Sequence, residues 1–221
     1  AKRGHQVTVL TSRFDSSLPQ YEFRDGVSII RPNVLMRISK GVIMPTLPYW
    51  ALKLIAQADL VNAHVPQPDA ALIAMISRLL GKPFVLTYQC DLRLPKGFIH
   101  NLANQGSNIA NHISSRIADV IVTTSMDYAE NSDARGLVND KFVEIPFGVD
   151  SNFLKSGSNI SNKREKIVLF VGAMDRAHYF KGVNVLIKAM KILHTNVRMK
   201  CQSTNKRMRL VIVGGGDLKY G

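Results

Sequence analysis

The chain is short of cysteine, of aromatic residues and of acidic residues. Two cysteines, Cys90 and Cys201, stand far apart in 221 residues. They form no disulfide framework, and no Cys/His spacing suits a zinc site. Reduced thiols in a cytosolic protein are the expectation. Aromatic residues make up only 7% and do not alternate with basic ones. That counts against a base-stacking surface, and nucleic acid is not expected as a partner. No apolar run approaches the about 20 residues of a membrane-crossing helix. No fixed-period repeat is present. The strand-to-helix G-x-G-x-x-G fingerprint of dinucleotide oxidoreductases is missing as well.

What is abundant is positive charge. Lys and Arg number 29 against 16 acidic residues, a net charge of +13. Such a charge favours anionic partners, namely phosphorylated substrates or acidic lipid surfaces. Hydrophobic residues are 46% and charged residues 20%, which fits a globular protein rather than a disordered one.

Strand and helix signals alternate along the chain. Extended runs are expected at Gln6 to Thr11, Val27 to Arg31, Asp59 to Ala63, Phe84 to Tyr88, Asp119 to Thr123 and Phe142 to Ile145. Asp25–Gly26 is a turn signal before the second of them. Helical patterns are expected at Tyr49 to Ala58, Asp69 to Leu80 and Ile99 to Ala118, the last weakened by Gly106. Pro32 to Pro48 holds three prolines and is expected as loop or short helix. Ser125 is placed to cap a further helix. This order predicts an α/β fold with a doubly wound parallel sheet over residues 1–150. Residues 151–166, rich in Ser, Asn and Lys, are expected to be a linker. Residues 167–221 then open a second α/β unit. The basic, aperiodic run 195–209 is expected as a solvated loop.

Both ends are abrupt. AKRGHQVTVLT looks like the end of a helix, a glycine stop and a strand, while RLVIVGGGDLKYG is a strand and a glycine loop. The expectation is a piece of a longer protein, with a first strand before Ala1 and more of the second domain after Gly221.

The segment IVLFVGAMDRAHYFKGVNVLIKAM, 167–190, carries the most chemistry. An apolar run, Ile167 to Val171, suits a strand buried on both faces. Gly172 ends it, a loop with Arg176 and Lys181 follows, and after Gly182 a helical pattern begins. Glycine lets a ligand approach the backbone, and cations near a helix N-terminus favour phosphate. The same spacing also fits a basic loop in water. In a doubly wound sheet, ligands bind beyond the carboxyl ends of the strands. That rule ranks His64, Gln89, Cys90, Asp91, Ser125, Arg176, Lys181 and the three glycines 214–216.

These residues also carry a resemblance. Residues 167–190 resemble the opening of the donor-binding domain in retaining, nucleotide-sugar-dependent glycosyltransferases of the two-Rossmann-domain (GT-B) fold, family four. DLVNAHVPQPDA, GKPFVLTYQCD, ADVIVTTSMDYAENS and KFVEIPFGVD match the same family in order, and together the matches cover nearly the whole chain. The resemblance implies a sugar moved from a nucleotide-diphosphate sugar to a hydroxyl acceptor, with retained configuration, no separate cofactor and no obligatory metal. It places His64, Gln89 and Asp91 on the acceptor or sugar side. Gly172, Arg176, Lys181 and Gly215 fall on the side of the donor diphosphate. It also makes 1–150 the acceptor-side domain and 167–221 the start of the donor-side domain.

The chain departs from the family at several positions. Gln89 stands where the family usually has the histidine of Tyr-His-Xaa-Asp, and glutamine carries no proton at neutral pH. Ala173 replaces the arginine after the first glycine. Phe147 replaces an asparagine, and Gly215 an aspartate. The family's glycine-rich loop and its acidic Glu-x7-Glu motif lie outside residues 1–221. A scaffold that has lost its chemistry is therefore an alternative, and the fragment alone is not expected to catalyse transfer. A lipid-linked acceptor and peripheral contact with an acidic inner membrane face accord with the net charge.

Overall fold

The computed structural model describes residues 1–38, 41–92, 97–137, 140–148, 166–174, 176–200 and 208–216. The expected linker therefore lies outside the described residues except for Lys166, and so does Cys201. The chain divides into two compact units: 1–93 with 98–147, and 94–97 with 148–221.

The first unit is mixed α/β, Rossmann-like in its parallel sheet. It opens with β1 (Val7–Leu10), β2 (Tyr21–Arg24) and β3 (Val27–Ile30). β1 and β3 run parallel, whereas β2 and β3 form a hairpin. Its two-residue turn is Asp25–Gly26, with φ of 53° and 79°. Positive φ at both positions matches the right-handed twist of a tight hairpin, which is why Asp-Gly is favoured there. A second small hairpin pairs β4 (Met36–Ile38) with β5 (Gly41–Ile43). This corrects the reading of Pro32 to Pro48 as loop or short helix. The three prolines flank the hairpin rather than interrupt it, and Pro48 sits in the first turn of α1 (Leu47–Gln57), where a missing N–H costs nothing.

Then comes the alternation that builds the main sheet: β6 (Val61–Val65), α2 (Ala70–Leu79), β7 (Phe84–Tyr88), α3 (Phe98–Ile117), β8 (Val120–Thr123), α4 (Met126–Asn131) and β9 (Phe142–Glu144). The four strands lie in the order β6-β7-β8-β9, all parallel. β6 starts and ends later than Asp59 to Ala63, so His64 lies inside the strand rather than after it. Gly106 does not break α3. The expected all-parallel sheet is thus restricted to β6–β9, because the two hairpins stand outside it.

One face of this sheet is the core. Val61, Val65, Phe84, Leu86, Tyr88 and Ile121 are buried on it together with Ala51 and Ile55 of α1 and Ala70 and Ala74 of α2. Side chains alternate across a strand, so Asn62, His64 and Thr87 belong to the other face. The buried positions of α2 and α3 are mostly small: Ala70, Ala71, Ala74 and Ser77 on one, Ser107, Ala110, Ser114 and Ser115 on the other. Ser77 and Ser114 turn their hydroxyls onto backbone carbonyls one turn earlier, Ile73 and Ala110, at 2.8 Å each.

The second unit is a β-helix-β element. β10 (Lys166–Val171) and β11 (Met208–Val213) are parallel, in register from Lys166↔Met208 to Val171↔Val213. Between them stand a short 3-10 helix, Arg176–Lys181, and α5 (Val183–Lys200). Three expectations are corrected here. The segment of Arg176 and Lys181 is a 3-10 helix with a kink at His178, not an open loop. The helix continues through 195–200 and β11 begins at Met208, so only 201–207 of the expected basic loop remains, outside the described residues. Among the described residues β10 is not covered on both faces, and Ile167, Leu169 and Val171 are exposed.

Candidate functional site

At the carboxyl end of the main sheet, β6 and β7 carry a polar ladder on the face away from the core. His64 is opposite Thr87 in register. Thr87 Oγ1 donates to Asn62 Oδ1 at 3.0 Å. One step further, Gln89 Nε2 is 2.8 Å from His64 Nδ1. Gln89 has left the strand, yet its backbone N–H still donates to the Val65 carbonyl at 3.2 Å. The sheet therefore sets the spacing of both side chains, and both are exposed to solvent. Two of the predicted acceptor-side residues are brought together.

The third, Asp91, is engaged differently. Its Oδ1 accepts from the Tyr88 hydroxyl at 2.6 Å and from the Asp133 backbone N–H at 3.2 Å. Its own backbone N–H donates to the Tyr128 hydroxyl at 2.9 Å. Burial, the hydrogen bond to Asp91 and the charge of Asp91 hold the Tyr88 phenol far above its ordinary range. Tyr88 thus remains a donor. Asp91 ties the end of β7 to α4 and the turn after it. Sequence reasoning did not find Tyr128 or Asp133, which lie 37 and 42 residues from Asp91, and it took Tyr88, three positions away, only as the end of its strand.

Cys90 lies between them, a free and exposed thiol. Desolvation, then the charge of Asp91, raise its pKa, which keeps it protonated and a poor nucleophile. Ser125 caps α4 as expected: its side chain accepts from the Tyr128 N–H at 3.4 Å. Glu144 adds a second acceptor, taking the Met126 N–H at 3.0 Å. A carboxylate at a helix N-terminus satisfies an otherwise orphaned donor.

In the second unit, β10 and β11 end in glycine loops that touch. Gly172 N–H donates to the Val213 carbonyl at 2.9 Å, and Met174 N–H to the Gly215 carbonyl at 2.9 Å. Lys181 folds back over this junction. A β-carbon built on Gly172 would meet its Cδ and Nζ, each at 3.3 Å. The ammonium group therefore stands over bare backbone, on an exposed residue, two positions before α5 begins. Gly182, with φ of 69°, makes the turn into that helix. Lys181 thus lies against Gly172, while Gly215 joins the same junction through Met174. Arg176 belongs to the 3-10 helix, and its side chain lies outside the described residues.

The chemistry available differs between the two places. The β6–β7 end offers an imidazole and an amide, suited to sugar hydroxyls. The β10–β11 end offers backbone, a cation and a helix N-terminus, suited to phosphate oxygens. Among the described residues no cluster of His, Cys, Asp and Glu could hold a metal ion. Among them, too, no helix is long and apolar enough to cross a membrane.

Residues 1–153 match the family model described as Glycosyltransferase Family 4. The chain is 28% identical over 166 residues to O-antigen chain mannosyltransferase C of Escherichia coli, covering 73% of this chain and 39% of that protein. It is 29% identical over 173 residues to D-rhamnosyltransferase WbpZ of Pseudomonas aeruginosa, covering 76% and 40% respectively. The chain thus spans about two fifths of the length of these relatives.

Proposed function

The chain belongs to glycosyltransferase family 4, and on that premise we propose that the protein transfers a sugar from a nucleotide-diphosphate sugar to a hydroxyl acceptor, with retention at the anomeric carbon. The bond from that carbon to the diphosphate breaks, and the diphosphate leaves with the electron pair. The acceptor oxygen forms the new bond on the same face, and its proton passes to an oxygen of the leaving diphosphate. Residues 1–150 serve as the acceptor-side domain and 167–221 as the start of the donor-side domain.

The observation that carries this reading is Lys181 over Gly172. A leaving diphosphate gathers negative charge, and an ammonium already placed at the glycine junction stabilises it with little reorganisation. Glycines at 172 and 215 let the phosphates come within reach of the backbone. His64, Gln89 and the neighbourhood of Asp91 form the acceptor or sugar side, and Arg176 is a second candidate for the diphosphate.

The relatives' names indicate a sugar class. D-rhamnose is the 6-deoxy form of D-mannose, so a manno-configured donor is proposed, with a glycan chain as acceptor. That acceptor is lipid-linked in this reading, and the protein meets an acidic membrane face peripherally. Charge supports this: 14 of the 29 basic residues but only 4 of the 16 acidic ones lie after Phe147. Binding to anionic vesicles that ignores salt would count against it.

The test uses the whole protein. A charge-assisted contact contributes about 1.5–3 kcal/mol, so Lys181→Ala is expected to weaken nucleotide-diphosphate-sugar binding by about 10- to 100-fold. Calorimetric titration measures it. Unchanged affinity removes Lys181 from the donor site. The anomeric configuration of the product, read by NMR, checks retention. A whole protein with neither transfer nor donor hydrolysis favours the non-catalytic scaffold.

A further inference from the structure

The contact between Gln89 and His64 takes its direction from the orientation of the amide, which turns Nε2 and not Oε1 toward the ring. An amide nitrogen carries two hydrogens and accepts nothing. With Gln89 Nε2 at 2.8 Å from His64 Nδ1, the ring nitrogen must be the acceptor. A neutral imidazole with a lone pair on Nδ1 holds its proton on Nε2. We propose that Gln89 is a positioning residue that holds His64 in the Nε2–H tautomer. His64 then presents an N–H donor, not a basic lone pair, to the acceptor. This rests on the reading of His64 as an acceptor-side residue given above.

The surroundings make the contact a built one. His64 lies in β6 between Ala63 and Val65, and Val65 is 1% exposed. Gln89 follows Tyr88, also 1% exposed, and its own N–H is tied to Val65. Both Cα positions are thus fixed by the parallel pairing of β6 with β7. The rung below, Thr87 to Asn62, is also hydrogen-bonded across the same two strands. Meanwhile the imidazole remains exposed, so its far nitrogen is reachable by a ligand.

The consequence for transfer is specific. A donor at Nε2 binds an oxygen lone pair of the acceptor and orients that hydroxyl. With Nδ1 occupied and Nε2 protonated, the ring has no free lone pair for the hydroxyl proton. His64 therefore orients the acceptor and does not deprotonate it. The residue at position 89 selects between these duties. An amide nitrogen sets Nε2–H. A carboxylate, which only accepts when ionised, sets Nδ1–H.

Long-range proton–nitrogen NMR on the protein labelled with 15N-histidine reads the tautomer directly, above the titration range of the ring. His64→Gln identifies the His64 signals by their loss. In the unmodified protein Nε2 is expected to be the protonated, pyrrole-like nitrogen. Gln89→Glu, close to isosteric, is expected to reverse the pattern, and Gln89→Leu to leave a mixture. An Nδ1–H ring in the unmodified protein overturns the proposal. So does a pattern that is the same in all three. The acceptor-side reading is tested separately, by the KM for acceptor. If His64→Gln leaves that KM unchanged while the tautomer follows residue 89, the acceptor role falls and the positioning by Gln89 stands.

Discussion

Gly214 lies directly against the carbonyl of Gly172. A β-carbon on Gly214 would sit 1.9 Å from that oxygen and 2.9 Å from the carbonyl carbon. Both are backbone atoms held by the β10–β11 pairing, so neither can step aside cheaply. Gly214→Ala is therefore expected to destabilise the chain by about 1–3 kcal/mol, the range for forcing atoms into a packed site. Gly215→Ala is the control. Nothing lies within 4 Å of a β-carbon there, and the change should stay within about 0.5 kcal/mol. Denaturant unfolding of both variants checks this. Equal losses at 214 and 215 would mean that the contact does not hold the loops together.

Tyr88 and Asp91 make the second junction. The phenol is buried and donates to the Asp91 carboxylate at 2.6 Å. Tyr88→Phe keeps the ring and removes the donor. Asp91 retains the Asp133 N–H but loses its shortest partner. A loss of about 1–3 kcal/mol is expected, since the bond is to a charged group. A variant as stable as the parent would mean that the carboxylate is satisfied without the phenol, and would free Asp91 for a role toward substrate.

The alternation of strand and helix was legible because β7, β8 and β10 are largely apolar runs bounded by Gly, Pro or capping residues. Phe84 to Tyr88 is expected and observed with the same ends, and Ser125 caps as its position suggested. Two kinds of feature escaped. The first is short strands. β4 and β5 have three residues each, too few for a period to show, and the nearby prolines suggested a loop. The second is chemistry made by distance. Lys181 and Gly172 are nine positions apart and could be paired from sequence, but the Asp91 network and the Gly214–Gly172 contact join separate strands and turns. The strand expected to end at Ala63 runs on to Val65, because polar His64, like Asn62, belongs to the exposed face.

Asp69 precedes α2 and accepts no side-chain cap hydrogen bond. Burial raises its pKa. A carboxyl whose folded pKa exceeds its unfolded value stabilises the fold only while protonated. That contribution is complete below the unfolded value, about 3.9, and is lost as pH rises through the folded one. At neutral pH the ionised group is a standing cost. Asp69→Asn is expected to raise the melting temperature at about pH 7, with the gain shrinking toward about pH 4. Asn and Asp rank equally as caps, so capping does not confuse the comparison. A variant less stable at neutral pH would show that the helix-end attraction for the charge outweighs desolvation.

Lys141 closes the end of α3 from a distance in sequence. Its Nζ donates to the Ala118 carbonyl at 2.8 Å and the Arg116 carbonyl at 3.1 Å. The last carbonyls of a helix have no partner within it, and the negative end of the helix dipole favours a cation. The same residue belongs to the sheet, because its carbonyl accepts the Ile121 N–H at 2.8 Å. Helix end and strand start are thus held by one residue, the first through its side chain and the second through its backbone. Lys141→Met keeps the stem and removes the ammonium, leaving two carbonyls to water or to nothing. A loss of about 1–2 kcal/mol is expected. Lys141→Arg, which keeps donors of similar reach, should recover most of it. Because Ala118 is fully buried, raising salt should erode the difference between Lys and Met only slightly. Chemical denaturation of the three forms at low and high salt measures each of these. A difference that vanishes in salt would place Lys141 among ordinary surface charges.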